Sequence, residues 1–226
     1  MVARLTEQVV STRVRVKICG ITRPRDALDA AYLGADAIGL IFYPNSPRAI
    51  DINTARQIVS VLPPFISKVG LFVNAKADEI QAVLQAIPLD LLQFHGEEEP
   101  ALCNCFSRPF IKAVRMQDNV DLKSVAERYT DASALLLDSY VKGVQGGTGT
   151  SFDWSRIPSD IGKPLILAGG LTINNVHAAI KQVKPYAVDV SGGVELEKGV
   201  KDANKIAEFI QEVRNAENQY GSRSYQ

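Results

Sequence analysis

Residues 164–193 read PLILAGGLTINNVHAAIKQVKPYAVDVSGG. Pro164 to Ala168 is a run of apolar residues, Ile173 to Lys181 has helical character, and Tyr186 to Val190 is a second strand-like run. The two runs are followed by paired glycines, Gly169-Gly170 and Gly192-Gly193. A strand apolar on both faces of its pleat must be covered on both, which is the condition of a strand in a buried parallel sheet. Working outward, the same unit recurs. Strand-like runs fall at Val14 to Ile18, Asp36 to Phe42, Ile66 to Val73, Asp90 to Phe94, Phe110 to Val114 and Ala134 to Leu137. Helical stretches separate them at Pro24 to Leu33, Asn53 to Val61, Ala77 to Ala86, Glu97 to Phe106 and Val120 to Tyr129, and a last one spans Ala203 to Val213. Strand alternating with helix predicts an α/β fold with a parallel sheet.

Eight such strands make either an open doubly wound sheet or a closed barrel. An open dinucleotide fold carries a G-x-G-x-x-G turn after its first strand, whereas here that turn is Lys17-Ile18-Cys19-Gly20-Ile21-Thr22. The glycine-rich turns come late instead, at Gly146-Gly147-Thr148-Gly149 and at the two pairs above, after the sixth, seventh and eighth strands. Late turns of this kind build phosphate sites in barrels. The prediction is a single (β/α)8 TIM barrel over residues 14–214, with an N-terminal extension (1–13) and a polar C-terminal tail (215–226) that fray, because no Pro/Ser/Gly-rich linker or charge block divides the chain.

Composition narrows the function. Lys plus Arg and Asp plus Glu each number 25, so no net field draws the protein to nucleic acid or an anionic bilayer. No apolar run reaches the length of a membrane helix, and MVARLTEQVV lacks the apolar centre of a secretory signal. Three cysteines, Cys19, Cys103 and Cys105, are too few and odd in number for a disulfide framework, and the expected compartment is the cytoplasm.

Side chains at the carboxyl ends of barrel strands point into the mouth. Four polar candidates sit there: Cys19, Arg48, His95 and Asp138. A cysteine in a barrel is often apolar filler. A thiol at this strand end can also serve as a base or a nucleophile, and the sequence does not decide whether a histidine pairs with it. Asp138 closes Ala134-Leu135-Leu136-Leu137, where a carboxylate is expensive to bury unless paired or functional. It is either a loop cap or a general acid. Arg48 lies on a loop stiffened by Pro44 and Pro47, able to form a bidentate pair with a substrate carboxylate. The glycine turns are candidate main-chain cradles for a phosphate monoester. Cys103-x-Cys105 near His95 lacks a complete tetrahedral set, so no metal site is expected. Glu97-Glu98-Glu99 is read as the acidic first turn of the fourth helix, His177 as a surface helix residue, and Trp154 as packing a short helix against the barrel.

The segments VKICGIT (16–22), GADAIGLIFYPNSPR (34–48), VGLFVN (69–74), LLQFHGEE (91–98), LLLDS (135–139), GGTGTSFDW (146–154), LAGGL (167–171) and VDVSGGVE (188–195) resemble, in order and spacing, the phosphoribosylanthranilate isomerase family of tryptophan biosynthesis. The resemblance implies a barrel that performs a cofactor- and metal-free Amadori rearrangement on a phosphorylated small molecule, as a monomer or homodimer. It further implies Cys19 as general base, Asp138 as general acid, Arg48 on the anthranilate carboxylate, and a phosphate clamp from Gly147, Thr148, Gly149, Gly169, Gly170, Ser191, Gly192 and Gly193. One position departs from the family pattern, Ser191-Gly192-Gly193 where Ser-Ser-Gly is expected, and there a hydroxyl contact is missing while main-chain donors remain. Two rival readings are another phosphosugar isomerase or epimerase on the same barrel and a catalytically silent phosphate binder. The pairing of Cys19 with Asp138 disfavours the second, and two histidines hardly supply the ligands of a metal-dependent epimerase.

Overall fold

The computed structural model of the chain describes residues 13–139 and 152–221. Eight strands pair in parallel and in chain order: β1 (Arg15–Cys19), β2 (Ala37–Ile41), β3 (Ser67–Phe72), β4 (Leu91–Phe94), β5 (Phe110–Met116), β6 (Ala134–Ser139), β7 (Leu165–Leu167) and β8 (Ala187–Val190). β8 returns to pair with β1 and closes the barrel. Each strand lies within a few residues of its predicted run.

Alternation along each strand sorts the side chains. On β1, Val16 and Ile18 face outward and join Ala27, Ala30, Ile206 and Phe209 in the core between sheet and helices. Lys17 and Cys19 take the opposite face, toward the barrel interior. Part of that interior is apolar, filled by Ile111, Ala113, Ala134, Leu136, Ile166, Ala168 and Ala187. Another part is polar. The closing register sets Lys17 beside Asp189, and Lys17 Nζ reaches Asp189 Oδ1 at 2.9 Å with both side chains buried.

The helices are α1 (Pro24–Leu33), α2 (Ile52–Ser60), α3 (Ala77–Ala86), α4 (Pro100–Cys103), α5 (Leu122–Arg128), α6 (Val176–Val183) and α7 (Ala203–Gly221). α1 starts on a proline and stops at Gly34, whose left-handed φ of 105° ends it. Two helices correct the sequence reading. α4 is four residues long, where a helix from Glu97 to Phe106 was expected, because Pro100 occupies its first turn and the acidic run is used elsewhere. Glu98 is not an exposed cap residue. It is buried, accepts the Asn74 and Gly96 N–H groups, and pairs with Lys112 Nζ at 2.8 Å, while Lys112 also donates to Gly96 O. This knot fixes the turn that carries His95. Glu98→Gln leaves the Lys112 ammonium buried without its counter-charge, and urea denaturation is expected to show a loss of about 3 kcal/mol.

α7 runs past the boundary expected at Asn215. Its buried stripe, Ile206, Phe209, Ile210 and Val213, continues to the fully buried Ala216, and Glu217 accepts the Val14 N–H. The apolar repeat shrinks there to one methyl group, so the helix beyond Val213 reads as tail although Ala216 packs into the core. Trp154 opens a 3-10 turn, Trp154–Arg156, and packs partly buried against the core, in keeping with its reading.

Beyond β8 the chain forms a two-stranded antiparallel hairpin, β9 (Glu195–Glu197) and β10 (Val200–Lys201), at the mouth of the barrel. No helix among the described residues is long and apolar enough to cross a membrane.

Candidate active site

The carboxyl ends of the strands surround a cavity of about 430 Å³, lined by Cys19, Arg48, His95, Asp138 and the turns at Gly169-Gly170 and Ser191-Gly192-Gly193. Its size suits a small organic ligand. The sequence-predicted residues of strands 1, 2, 4, 6, 7 and 8 therefore meet at one place. Gly147, Thr148 and Gly149 lie outside the described residues.

Cys19 is 5% exposed at the end of β1. Its Sγ overhangs Gly39 of β2, where a Cβ would come within 2.7 Å of the sulfur and 3.2 Å of Lys17 Cε, so the absent side chain makes room for both. Burial pushes the thiol up, and the neighbouring Lys17 ammonium pulls against it. Burial also disfavours the Lys17 ammonium, but Asp189 and Cys19 outweigh it and Lys17 ends above its ordinary value. A cation therefore sits one strand-pair of residues below the sulfur, ready to stabilise a thiolate.

Asp138 is the next-to-last residue of β6, 7% exposed. Its Oδ1 accepts the Ser139 N–H at 2.9 Å and its Oδ2 lies 3.1 Å from His95 Nε2. Gly169 permits this placement: it has φ 76°, and a Cβ there would stand 2.9 Å from Asp138 Oδ1 and 2.2 Å from Ser139 N. The histidine of the site thus partners the carboxyl rather than the thiol.

Arg48 reaches the cavity, but not as the waiting side chain that the sequence suggested. Its Nε and Nη2 donate to the two carboxylate oxygens of Glu195, both at 2.7 Å, and Lys201 Nζ donates to Glu195 Oε1 at 2.7 Å. Burial disfavours the Glu195 carboxylate, but the two cations outweigh it and hold it below its usual range. Lys201, the more deeply buried cation, is pulled down by desolvation in spite of Glu195. Lys201 Nζ also donates to Ser191 O at 3.1 Å, tying the last glycine turn to the same network. Gly192 stands close over it: a Cβ would lie 3.4 Å from Arg48 Nη2.

A sequence profile for N-(5'-phosphoribosyl)anthranilate (PRA) isomerase matches residues 16–212. The chain belongs to this family. It is an isomerase of tryptophan biosynthesis, 60% identical over 201 residues to the N-(5'-phosphoribosyl)anthranilate isomerase of Pseudomonas aeruginosa, covering 89% of this chain and 95% of that one. The Azotobacter vinelandii isomerase is also 60% identical, over 203 residues, covering 90% and 98% of the two chains. Among solved structures, the Thermotoga maritima isomerase aligns with a TM-score of 0.83 at 42% identity, covering 89% of this chain and 99% of that one. A phosphoribosylanthranilate isomerase in complex with reduced 1-(o-carboxyphenylamino)-1-deoxyribulose 5-phosphate aligns at 0.80 and 41%, with the same coverage.

Sequence reasoning missed Lys17, Gln93, Arg115, Asp189, Glu195 and Lys201, all at or beside this isomerase's cavity. A signal for several was present. VKI, LLQF and VDV each hold one polar residue inside an otherwise apolar strand, and the two-residue steps Lys17 to Cys19 and Gln93 to His95 place partners on one face. Glu195 and Lys201 gave no such signal, since a short hairpin brings them back over the mouth.

Proposed function

We propose that this isomerase converts N-(5-phosphoribosyl)anthranilate into 1-(2-carboxyphenylamino)-1-deoxyribulose 5-phosphate with Asp138 as general acid and Cys19 as general base. The observation that carries the reading is that a thiol on β1 and a carboxyl on β6 line one cavity, with the glycine turns after β7 and β8 and Arg48 around them. Asp138 protonates the furanose ring oxygen, and the ring opens to an iminium. The positive nitrogen acidifies the C2 proton. Cys19 removes it, and the resulting enolamine tautomerises to the ketone.

The two ends of the substrate are held apart by chemistry of different kinds. Main-chain groups at Gly169-Gly170 and Ser191-Gly192-Gly193 take the phosphate, joined by Gly147, Thr148 and Gly149. Arg48 takes the anthranilate carboxylate. Glu195 grips its Nε and Nη2 edge, which orients the guanidinium and leaves Nη1 and the second Nη2 hydrogen for the ligand. Holding both ends places the reacting carbons between acid and base.

The test generates phosphoribosylanthranilate in situ and follows its disappearance spectroscopically with and without the protein. Accelerated decay is expected, and unchanged decay removes the assignment. Arg48→Ala is expected to raise KM by about tenfold to a hundredfold, the worth of a charge-assisted hydrogen bond. A substrate analogue lacking the carboxylate loses much less, and an equal loss for both contradicts the role. Balanced charge and three unpaired cysteines support a cytoplasmic setting. A Thermotoga maritima relative is described as dimeric, and sedimentation of this chain distinguishes monomer from homodimer.

A further inference from the structure

Gln93 is the one polar residue of β4, fully buried, with its side chain turned to the same interior face as His95. Its Nε2 lies 2.9 Å from His95 Nδ1. An amide nitrogen can only donate, so Nδ1 accepts, the ring proton sits on Nε2, and Nε2 donates to Asp138 Oδ2. In this arrangement Asp138 is the acceptor and holds no proton to give. The other end of the amide, Oε1, is buried without a hydrogen-bond partner, a state that native interiors rarely keep.

One motion relates the two facts. Turning the amide about its last torsion brings Oε1 to Nδ1, where it can accept only if Nδ1 carries a proton. We propose that Gln93 is a positioning residue for the acid step: the end of its amide that faces His95 determines whether the His95–Asp138 couple holds one proton or two. A proton taken from water on Nδ1 lets Nε2 pass its own to Asp138 Oδ2, and Asp138 then gives that proton to the departing ring oxygen. The couple is left one proton poorer, with a neutral imidazole that carries its remaining proton on Nδ1; the amide returns once Nδ1 has given that proton to water and Nε2 has taken one from water. The inference rests on the acid role proposed for Asp138 and adds how that acid is loaded.

Among the described residues, the charged groups around the couple leave it without a competing proton donor. Arg115 from β5 sits in register with Asp138 and directs Nη2 at His95 O, 3.4 Å away. Lys112, also on β5, is engaged by Gly96 O and Glu98 in the turn after His95. At the end of β3 the neighbouring residues are Leu71 and Val73, and just after β7 they are Ala168 and Gly169. Lys17, Cys19 and Asp189 stand on β1 and β8.

The experiment is a pH titration of the wild-type protein by nitrogen-15 NMR. The chain has two histidines, so His177→Gln assigns the His95 ring and Gln93→Met assigns the Gln93 amide. The expected result is that the Gln93 side-chain amide and both His95 ring nitrogens move with one midpoint, shared with the alkaline limb of kcat/KM. A Gln93 amide that stays flat while His95 titrates overturns the proposal, as does a ring whose Nδ1 is protonated throughout. Kinetics give a second reading. Gln93→Met removes the acceptor that holds the added proton, so kcat falls about tenfold with KM within about twofold, and the limb moves to lower pH. A merely structural role lowers activity without moving the limb, and that outcome overturns the proposal. If Asp138→Asn retains wild-type turnover, the acid assignment itself fails. If it abolishes turnover while the Gln93 tests come out flat, only the present inference fails.

Discussion

Cys19→Ala is expected to lower kcat by about 10³-fold, within the range that a positioned general base contributes, while the reduced product analogue still binds. The substitution removes one sulfur atom from a residue 5% exposed, and none of the proposed phosphate or carboxylate contacts involves it. Turnover and calorimetric binding measured side by side separate the two effects. Wild-type turnover in the variant would take the thiol out of the mechanism. Loss of binding would make it a packing residue.

The same thiol sets a pH dependence. As the proposed base Cys19 would act as the thiolate, and burial holds the group above its ordinary value against the pull of Lys17. Near neutrality the thiolate is therefore the minor form, and kcat/KM is expected to rise with pH along its acidic limb. Stability runs the other way. A thiol whose folded-state value lies above its unfolded value contributes stability that is present below the unfolded value, about 8.5, and is lost as pH climbs through the folded one. Cys19→Ala is thus expected to flatten the alkaline decline in stability seen by urea denaturation.

Asp138→Asn is the second large effect, with kcat lowered by about 10²- to 10⁴-fold. The amide keeps an oxygen for the Ser139 N–H, and its NH2 faces His95 Nε2, which accepts it when the ring proton sits on Nδ1, so the fold at the end of β6 is retained. What it lacks is a proton of carboxylic acidity for the ring oxygen. Binding of the product analogue within about threefold of wild type, alongside the loss of turnover, is the expected pattern for an interaction made only in the transition state. A parallel loss of both would assign Asp138 to binding.

Much of this was legible in the chain. The order of strands and helices followed from runs too apolar for a half-exposed sheet, and the late glycine pairs at 169–170 and 192–193 separated a barrel from an open sheet. The strand ends then named Cys19, Arg48, His95 and Asp138, because in a parallel barrel the residues at those ends share a mouth. The fourth helix shows where this reasoning stops. Glu97-Glu98-Glu99 has the composition of an acidic first turn, yet Glu98 is drawn inward by Lys112, which comes from a different strand. The last helix shows a related failure, since Ala216 is too small to register as part of a stripe although it is fully buried.

By itself the sequence determined the fold and the family and named the two groups proposed to exchange protons, since these depend on local patterns: hydrophobic period, glycine placement and short motifs. Tertiary structure alone decided the partners. Barrel closure sets Lys17 next to Asp189 and under Cys19, the β9–β10 hairpin carries Glu195 to Arg48, and the shared mouth of β4 and β6 joins Gln93, His95 and Asp138. Such pairs lie up to 172 residues apart along the chain. Electrostatic coupling falls off with distance in space and not along the chain, so no window of sequence contains it.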